Sequence, residues 1–231
     1  MTLLLASVRT ITEARMALAG GADILDLKEP SAGALGAVAV DVAADVVRFV
    51  DGRVPVSATV GDLPMQPLLL APAIAEMAAT GVSFVKVGLF GGGPFDPCLD
   101  ALARAARAGV RVVAVLFADQ RPDLSRLDRI AAAGLRGVML DTADKRSGGL
   151  RTHAADEDLA RFVRAARAAG LFAGLAGSLT PSDIPPLLRL GPDYLGFRGA
   201  LCSGGVRGSV LDPGSLADVR RRIPRPALAL S

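Results

Sequence analysis

The chain has 231 residues, 51 % hydrophobic and 21 % charged, with a formal net charge of +3. That apolar content excludes a disordered chain, and two cysteines with one histidine exclude a disulfide framework and a histidine-rich metal site. The arginines interleave with aspartates along helical stretches such as 156–167, a pattern of solvated faces, which tells against a nucleic-acid partner.

In chain order, short β-branched or Leu-rich runs alternate with Ala/Arg/Leu segments of helical period. Met1–Val8 is apolar with no basic residue ahead of it, so Leu3–Ser7 reads as a first strand, not a signal peptide. A helix over Thr12–Ala19 follows, then strand Ile24–Lys28 and helix Val40–Val50. The next units are strand Val54–Val60 with helix Pro67–Ala79, and strand Phe84–Leu89 with helix Asp96–Ala108. Strand Val112–Ala118 leads to helix Leu124–Ala133, and strand Gly137–Thr142 to helix Asp156–Ala169. Strand Leu171–Gly177 precedes helix Pro181–Leu190, and strand Tyr194–Gly199 precedes helix Gly214–Arg222, before a loose C-terminal strap at Ile223–Ser231.

Strict alternation of eight strands and eight helices, without a linker, predicts a single (β/α)8 TIM barrel over residues 1–231. An open doubly wound sheet is the weaker alternative, because no Gly-x-Gly-x-x-Gly turn follows the first strand. No uncharged stretch reaches the ~18 residues of a membrane helix. The scarcity of cysteine suits a reducing cytoplasm. Apolar helices such as Pro67–Ala79 point to a homo-oligomer.

The basic residues divide into 3 lysines (Lys28, Lys86 and Lys145) and 23 arginines. A chain that uses arginine for nearly every solvated cation has kept lysine at or just past predicted strand ends. Arginine cannot replace lysine where a neutral amine must attack a carbonyl. In a barrel, the site lies at the C-terminal strand ends, where Lys28, Lys86, Asp141 and Arg198, all on even-numbered strands, are expected to converge. Asp26 and Lys28 are two residues apart and share a face. Held among other cations, Lys28 is the first candidate for a Schiff-base nucleophile and Lys86 the second, with Asp26 moving protons. Burial alone would also pair Asp26 with Lys28 or Lys86. Asp141 and Lys145 repeat the acid-near-lysine theme.

The last two strands end in small residues, Ala176-Gly177-Ser178 and Arg198-Gly199-Ala200, the latter followed by Cys202-Ser203-Gly204-Gly205-Val206-Arg207. Barrels that take phosphorylated substrates use these two loops. We therefore expect a small phosphorylated substrate bound by Gly177, Ser178, Arg198, Gly199, Gly204 and Gly205, with Arg207 able to add charge. Cys202 has no histidine neighbour in any motif and His153 lies in a polar loop, so neither is assigned chemistry.

These residues resemble the (5-formylfuran-3-yl)methyl phosphate synthase family. The matching stretches are Gly20–Lys28, Gly33–Ala37, Val56–Asp62, Val85–Leu89, Met139–Ala143 with Lys145, Leu175–Ser178, and Arg198–Ala200 with Cys202. The resemblance implies condensation of two glyceraldehyde 3-phosphate molecules, with loss of phosphate and water, toward methanofuran or methylofuran. It also implies that Lys28 is the Schiff-base lysine and Lys86 the proton acceptor, that Asp26, Asp141 and Lys145 assist, and that no metal or organic cofactor takes part. The Ala/Arg richness favours the methylofuran branch. Competing readings are another class I aldolase, a phosphosugar isomerase, or a non-catalytic barrel that binds a phosphorylated ligand.

Overall fold

Parallel strands buried on both faces read as continuous β-branched runs, and Val112–Phe117 is the clearest of them here. In the computed structural model, which describes residues 1–224, eight such strands close into a parallel barrel in chain order. They are β1 Leu3–Val8, β2 Ile24–Leu27, β3 Val56–Thr59, β4 Phe84–Gly88, β5 Val112–Phe117, β6 Gly137–Asp141, β7 Phe172–Leu175 and β8 Tyr194–Phe197. The helices are α1 Ile11–Ala19, α2 Val40–Val50, α3 Pro67–Ala79, α4 Phe95–Arg107, α5 Leu127–Ala132, α6 Leu150–His153, α7 Asp156–Ala168, α8 Ile184–Arg189 and α9 Pro213–Arg222. The fold is the expected (β/α)8 barrel. Among the described residues no helix is long and apolar enough to cross a membrane.

Three local expectations are corrected. The helix expected over Leu124–Ala133 opens as a 3-10 turn, Leu124–Arg126, whose start is capped by the Asp123 carboxylate. The one expected over Pro181–Leu190 opens likewise at Pro181–Asp183, where Thr180 and Asp183 form a reciprocal cap. His153 lies in the extra one-turn helix α6, its ring 3.0 Å from Ser147 Oγ. Most of the predicted C-terminal strap, residues 225–231, falls outside the described residues.

The helices bind the barrel through regular apolar stripes. α7 buries Leu159, Phe162, Val163 and Ala166, with three acidic residues in its first turn and Arg167 in its last, which complements its dipole. Each large side chain of this kind contributes about 1.5–3 kcal/mol on burial. Helix ends reverse into the next strand through left-handed glycines, such as Gly81 (φ +85°) and Gly170 (φ +75°). At the bottom of the barrel a side chain two residues past such a glycine accepts a hydrogen bond from the preceding strand. Asp23 takes the Leu4 N–H at 2.7 Å, Ser83 the Val56 N–H at 3.1 Å, and Asp193 the Ala173 N–H at 2.8 Å.

Side-chain alternation decides what fills the barrel. Leu25 and Leu27 of β2 pack outward against helices, and Ile24 packs inward with Leu5, Val113, Val115, Met139 and Tyr194. The same alternation turns Asp26, Lys28, Lys86 and Asp141 inward, above that apolar floor. Over β4 the mouth is roofed. Gly88 leaves room that Phe90 and the fully buried Leu35 occupy, and Phe90 stacks on Phe117 with ring centres 4.3 Å apart. The Leu35 loop is held down by Asp62, whose carboxylate accepts the Ala34 and Leu35 N–H groups at 2.7 and 2.6 Å.

Candidate active site

Two buried acids divide the three lysines between them. Asp26 receives Lys86 Nζ at 3.1 Å, Ser7 Oγ at 3.1 Å and Ser57 Oγ at 2.6 Å. Asp141, the last residue of β6, forms an ion pair with Lys28 Nζ at 3.6 Å and pairs directly with Lys145, which also donates to Thr142 Oγ1 at 3.2 Å. The Thr142 N–H closes on Asp141 at 2.7 Å. Low dielectric makes such pairings obligatory, because an uncompensated buried charge is costly.

The same burial tunes the groups. Desolvation pushes the Lys86 ammonium below the ordinary lysine value and the nearby Lys28 charge pushes the same way, against the pull of Asp26. Lys145 is likewise lowered, first by desolvation. For Asp141 desolvation opposes ionisation, but the charges of Lys145 and Lys28 outweigh it and hold the carboxyl well below the usual range.

A cavity of about 350 Å3 opens on the β6–β7–β8–β1–β2 side of the mouth. It is lined by Ser7, Asp26, Lys28, Asp141 and Lys145, by Gly177, Ser178 and Thr180 after β7, and by Arg198, Gly199, Ala200, Gly205 and Arg207 after β8. Lys86 does not reach it. Its side chain is 2 % exposed, beneath the Leu35–Phe90 roof, and its ammonium donates to Asp26, which does line the cavity. Of the four side chains expected to converge at one mouth, Lys28, Asp141 and Arg198 line it and Lys86 lies under it.

The loop after β7 is built on two successive residues of positive φ. They are Gly177 (φ +111°) and the strained, non-glycine Ser178 (φ +49°), and both line the cavity. Among the described residues neither N–H has a backbone acceptor, and the same holds for Gly199 and Ala200. Gly205 also lines the cavity, whereas Gly204 lies outside it. Arg198 differs from its expected role. Its five N–H bonds are all spent: on both Glu13 oxygens (2.5 and 3.1 Å) and on the carbonyls of Ser7, Arg207 and Ser209. It holds the 199–209 loop in place and has no donor left for a ligand.

Several contributors have no sequence signature of their own. Ser7 and Ser57 were identifiable only as inward positions of β1 and β3. Asp119 accepts the Ala143 and Asp144 N–H groups at 2.8–3.0 Å and so fixes the loop carrying Lys145. Cys202 is buried, its thiol on the Arg198 carbonyl at 3.2 Å and pushed up by burial, which suits packing rather than chemistry. No group of three or more His, Cys, Asp or Glu side chains among the described residues is placed to hold a metal ion.

The model of the 4-HFC-P synthase family matches residues 4–220. The chain belongs to that family. The (5-formylfuran-3-yl)methyl phosphate synthase of Methanococcus aeolicus is 37 % identical over 216 residues, which cover 89 % of this chain and 92 % of that protein. A Methylorubrum extorquens protein provisionally given the same name is 45 % identical over 214 residues, 93 % of this chain and 88 % of that one. Among solved structures, phosphoribosyl anthranilate isomerase from Thermus thermophilus superimposes with a TM-score of 0.67 at 18 % identity, covering 96 % and 98 % of the two chains. That likeness concerns the fold. The 4-HFC-P synthases are enzymes, and this chain is one of them.

Proposed function

We propose that this 4-HFC-P synthase family enzyme condenses two molecules of glyceraldehyde 3-phosphate to (5-formylfuran-3-yl)methyl phosphate through a Schiff base on Lys28. The observation that carries the reading is the division of the lysines: Lys28 faces the open cavity, and Lys86 is shut beneath it on Asp26. The names of the relatives supply the product, and the unpaired N–H groups after β7 and β8 suit the phosphate.

Lys28, as the free amine, adds to the aldehyde carbon and expels water, giving an iminium. This cation draws electrons for loss of the neighbouring proton, for carbon–carbon bond formation and for expulsion of phosphate. Asp26 relays protons to Lys86, whose basicity burial lowers from the ordinary lysine value, which favours release of the neutral amine that a proton acceptor needs. Asp141, held ionised by Lys28 and Lys145, stabilises the cation. Lys145, which lines the cavity, protonates a leaving oxygen on this reading. Two triose phosphates minus one phosphoric acid and two waters equal the product, so the sum needs no oxidant or reductant. The site lies in the cytoplasm on this reading.

The test is sodium borohydride reduction in the presence of glyceraldehyde 3-phosphate, followed by mass spectrometry of the peptides and products. A reduced adduct at Lys28 and a furan aldehyde phosphate are expected. A furan product without any lysine adduct overturns the Schiff base, and absence of the furan overturns the reaction.

A further inference from the structure

The cavity contains one cation that the reading above leaves without a task. Arg207 reaches from the loop after β8 across the mouth to the loop after β2, where its Nη donates to the Gly33 carbonyl at 2.9 Å. A guanidinium has five N–H donors. Arg207 spends one, so four have no protein partner among the described residues, and no carboxylate lies within ion-pair distance. Arg198, the other arginine lining the cavity, is saturated.

Arg207 is also held in position. Arg198 Nε donates to its carbonyl at 2.9 Å, and the Gly33 bond anchors its far end. A half-buried guanidinium with no carboxylate in contact is only partly compensated by the more distant Asp141 and Asp62, and desolvation lowers its basicity. An anion with several oxygens offsets that cost and engages the planar fork through two parallel bonds. Such a ligand needs only the unused donors, so the Gly33 tether can remain.

The Arg207 backbone adjoins Gly199 after β8, but its guanidinium is tethered at Gly33 after β2, three strands round the barrel from Gly177 and Ser178 after β7. We propose that Arg207 forms a second phosphate subsite, which holds the phosphate dianion of one triose phosphate as the Gly177–Ser178 backbone holds that of the other. The inference rests on the reading that two phosphorylated trioses meet at Lys28. A cavity with one anion subsite would have to discriminate against a second dianion; one with two can hold both partners of a condensation together.

The experiment is calorimetric titration of sn-glycerol 3-phosphate, which carries the phosphate but no aldehyde, into the wild-type enzyme and the Arg207→Ala and Arg207→Lys variants. Two equivalents per chain are expected for the wild type and one for Arg207→Ala. Arg207→Lys should bind the second equivalent about tenfold or more weakly, since a point charge replaces a fork. With glyceraldehyde 3-phosphate, Arg207→Ala should raise KM about tenfold or more and still yield the Lys28 adduct at high substrate. One equivalent in the wild type, or two with unchanged affinity in Arg207→Ala, overturns the subsite. Should Arg207→Ala fail to fold, unchanged second-site affinity in Arg207→Lys overturns it equally. If the wild type forms neither furan nor adduct while binding of glycerol 3-phosphate still depends on Arg207, the anion subsite stands and the condensation reading falls.

Discussion

Lys86 Nζ lies 3.1 Å from Asp26 Oδ1, and both side chains are closed to solvent, at 2 % and 1 % exposure. Each charge is tolerable only because of the other, and Ser7 and Ser57 satisfy the remaining carboxylate positions. Removal of one partner is therefore expected to cost more than removal of both. Asp26→Ala should destabilise the barrel by about 3 kcal/mol, and the double variant Asp26→Ala/Lys86→Met should recover a substantial part. Urea unfolding of the four members of the cycle measures this. Additive losses would show that the pair is not coupled.

The acid branch of the stability profile should trace to Asp141. Its folded pKa lies below its unfolded value, so its stabilising contribution is complete above that unfolded value, near 4, and is lost as pH falls toward the folded one. The stability gap between wild type and Asp141→Asn should therefore be widest near pH 6 and shrink steadily toward pH 2. Thermal melts at several pH values check it, and a constant gap would contradict the assignment.

Lys86 predicts the acidic limb of catalysis. A proton acceptor works only when neutral, and desolvation moves this lysine below 10.5. The rise of kcat/KM with pH should therefore have its midpoint below the free-lysine value, and Lys86→Met should remove that limb along with most of the rate, about a hundredfold or more. A limb that persists in Lys86→Met belongs to another group.

Arg198 should behave as a loop anchor. Arg198→Lys keeps the charge and loses the fork that joins Glu13 to three carbonyls, at an expected cost of about 2–4 kcal/mol. Amide exchange across 199–209 should quicken, with substrate KM rising as a consequence. Glu13→Gln should give the same exchange pattern without touching the cavity. A raised KM with unaltered exchange would instead mean that Arg198 meets substrate directly.

Asp62 is expected to govern access to Lys86. Asp62→Ala removes two charge-assisted hydrogen bonds from the Leu35 loop, so exchange at Ala34 and Leu35 should accelerate and stability fall by about 2 kcal/mol. Amide-resolved exchange checks it. An unaltered rate at both amides would place the anchor elsewhere.

The barrel was legible because Val112–Phe117 and Gly137–Leu140 are continuous buried runs, and because glycines such as Gly81 and Gly170 punctuate each unit. Helix starts at Leu124 and Pro181 were not, since the choice between 3-10 and α geometry there depends on caps from Asp123 and Asp183. Lys28 and Asp141 could be named from strand-end position alone. The true employment of Arg198 could not, because its partner Glu13 is 185 residues away in the chain. The depth of Lys86 depended equally on remote residues, Leu35 and Phe90, that carry no charge.

The Leu35–Phe90–Phe117 roof makes the barrel mouth lopsided, and this bears on how the family can diversify. Loops after β2, β3 and β4 are committed to keeping water off an ammonium, so insertions or polar replacements there would disturb proton transfer whatever the substrate. Loops after β7 and β8 line the cavity without bearing that duty. New substrate preferences should therefore accumulate on one flank of the molecule, with the opposite flank acting as a fixed insulator.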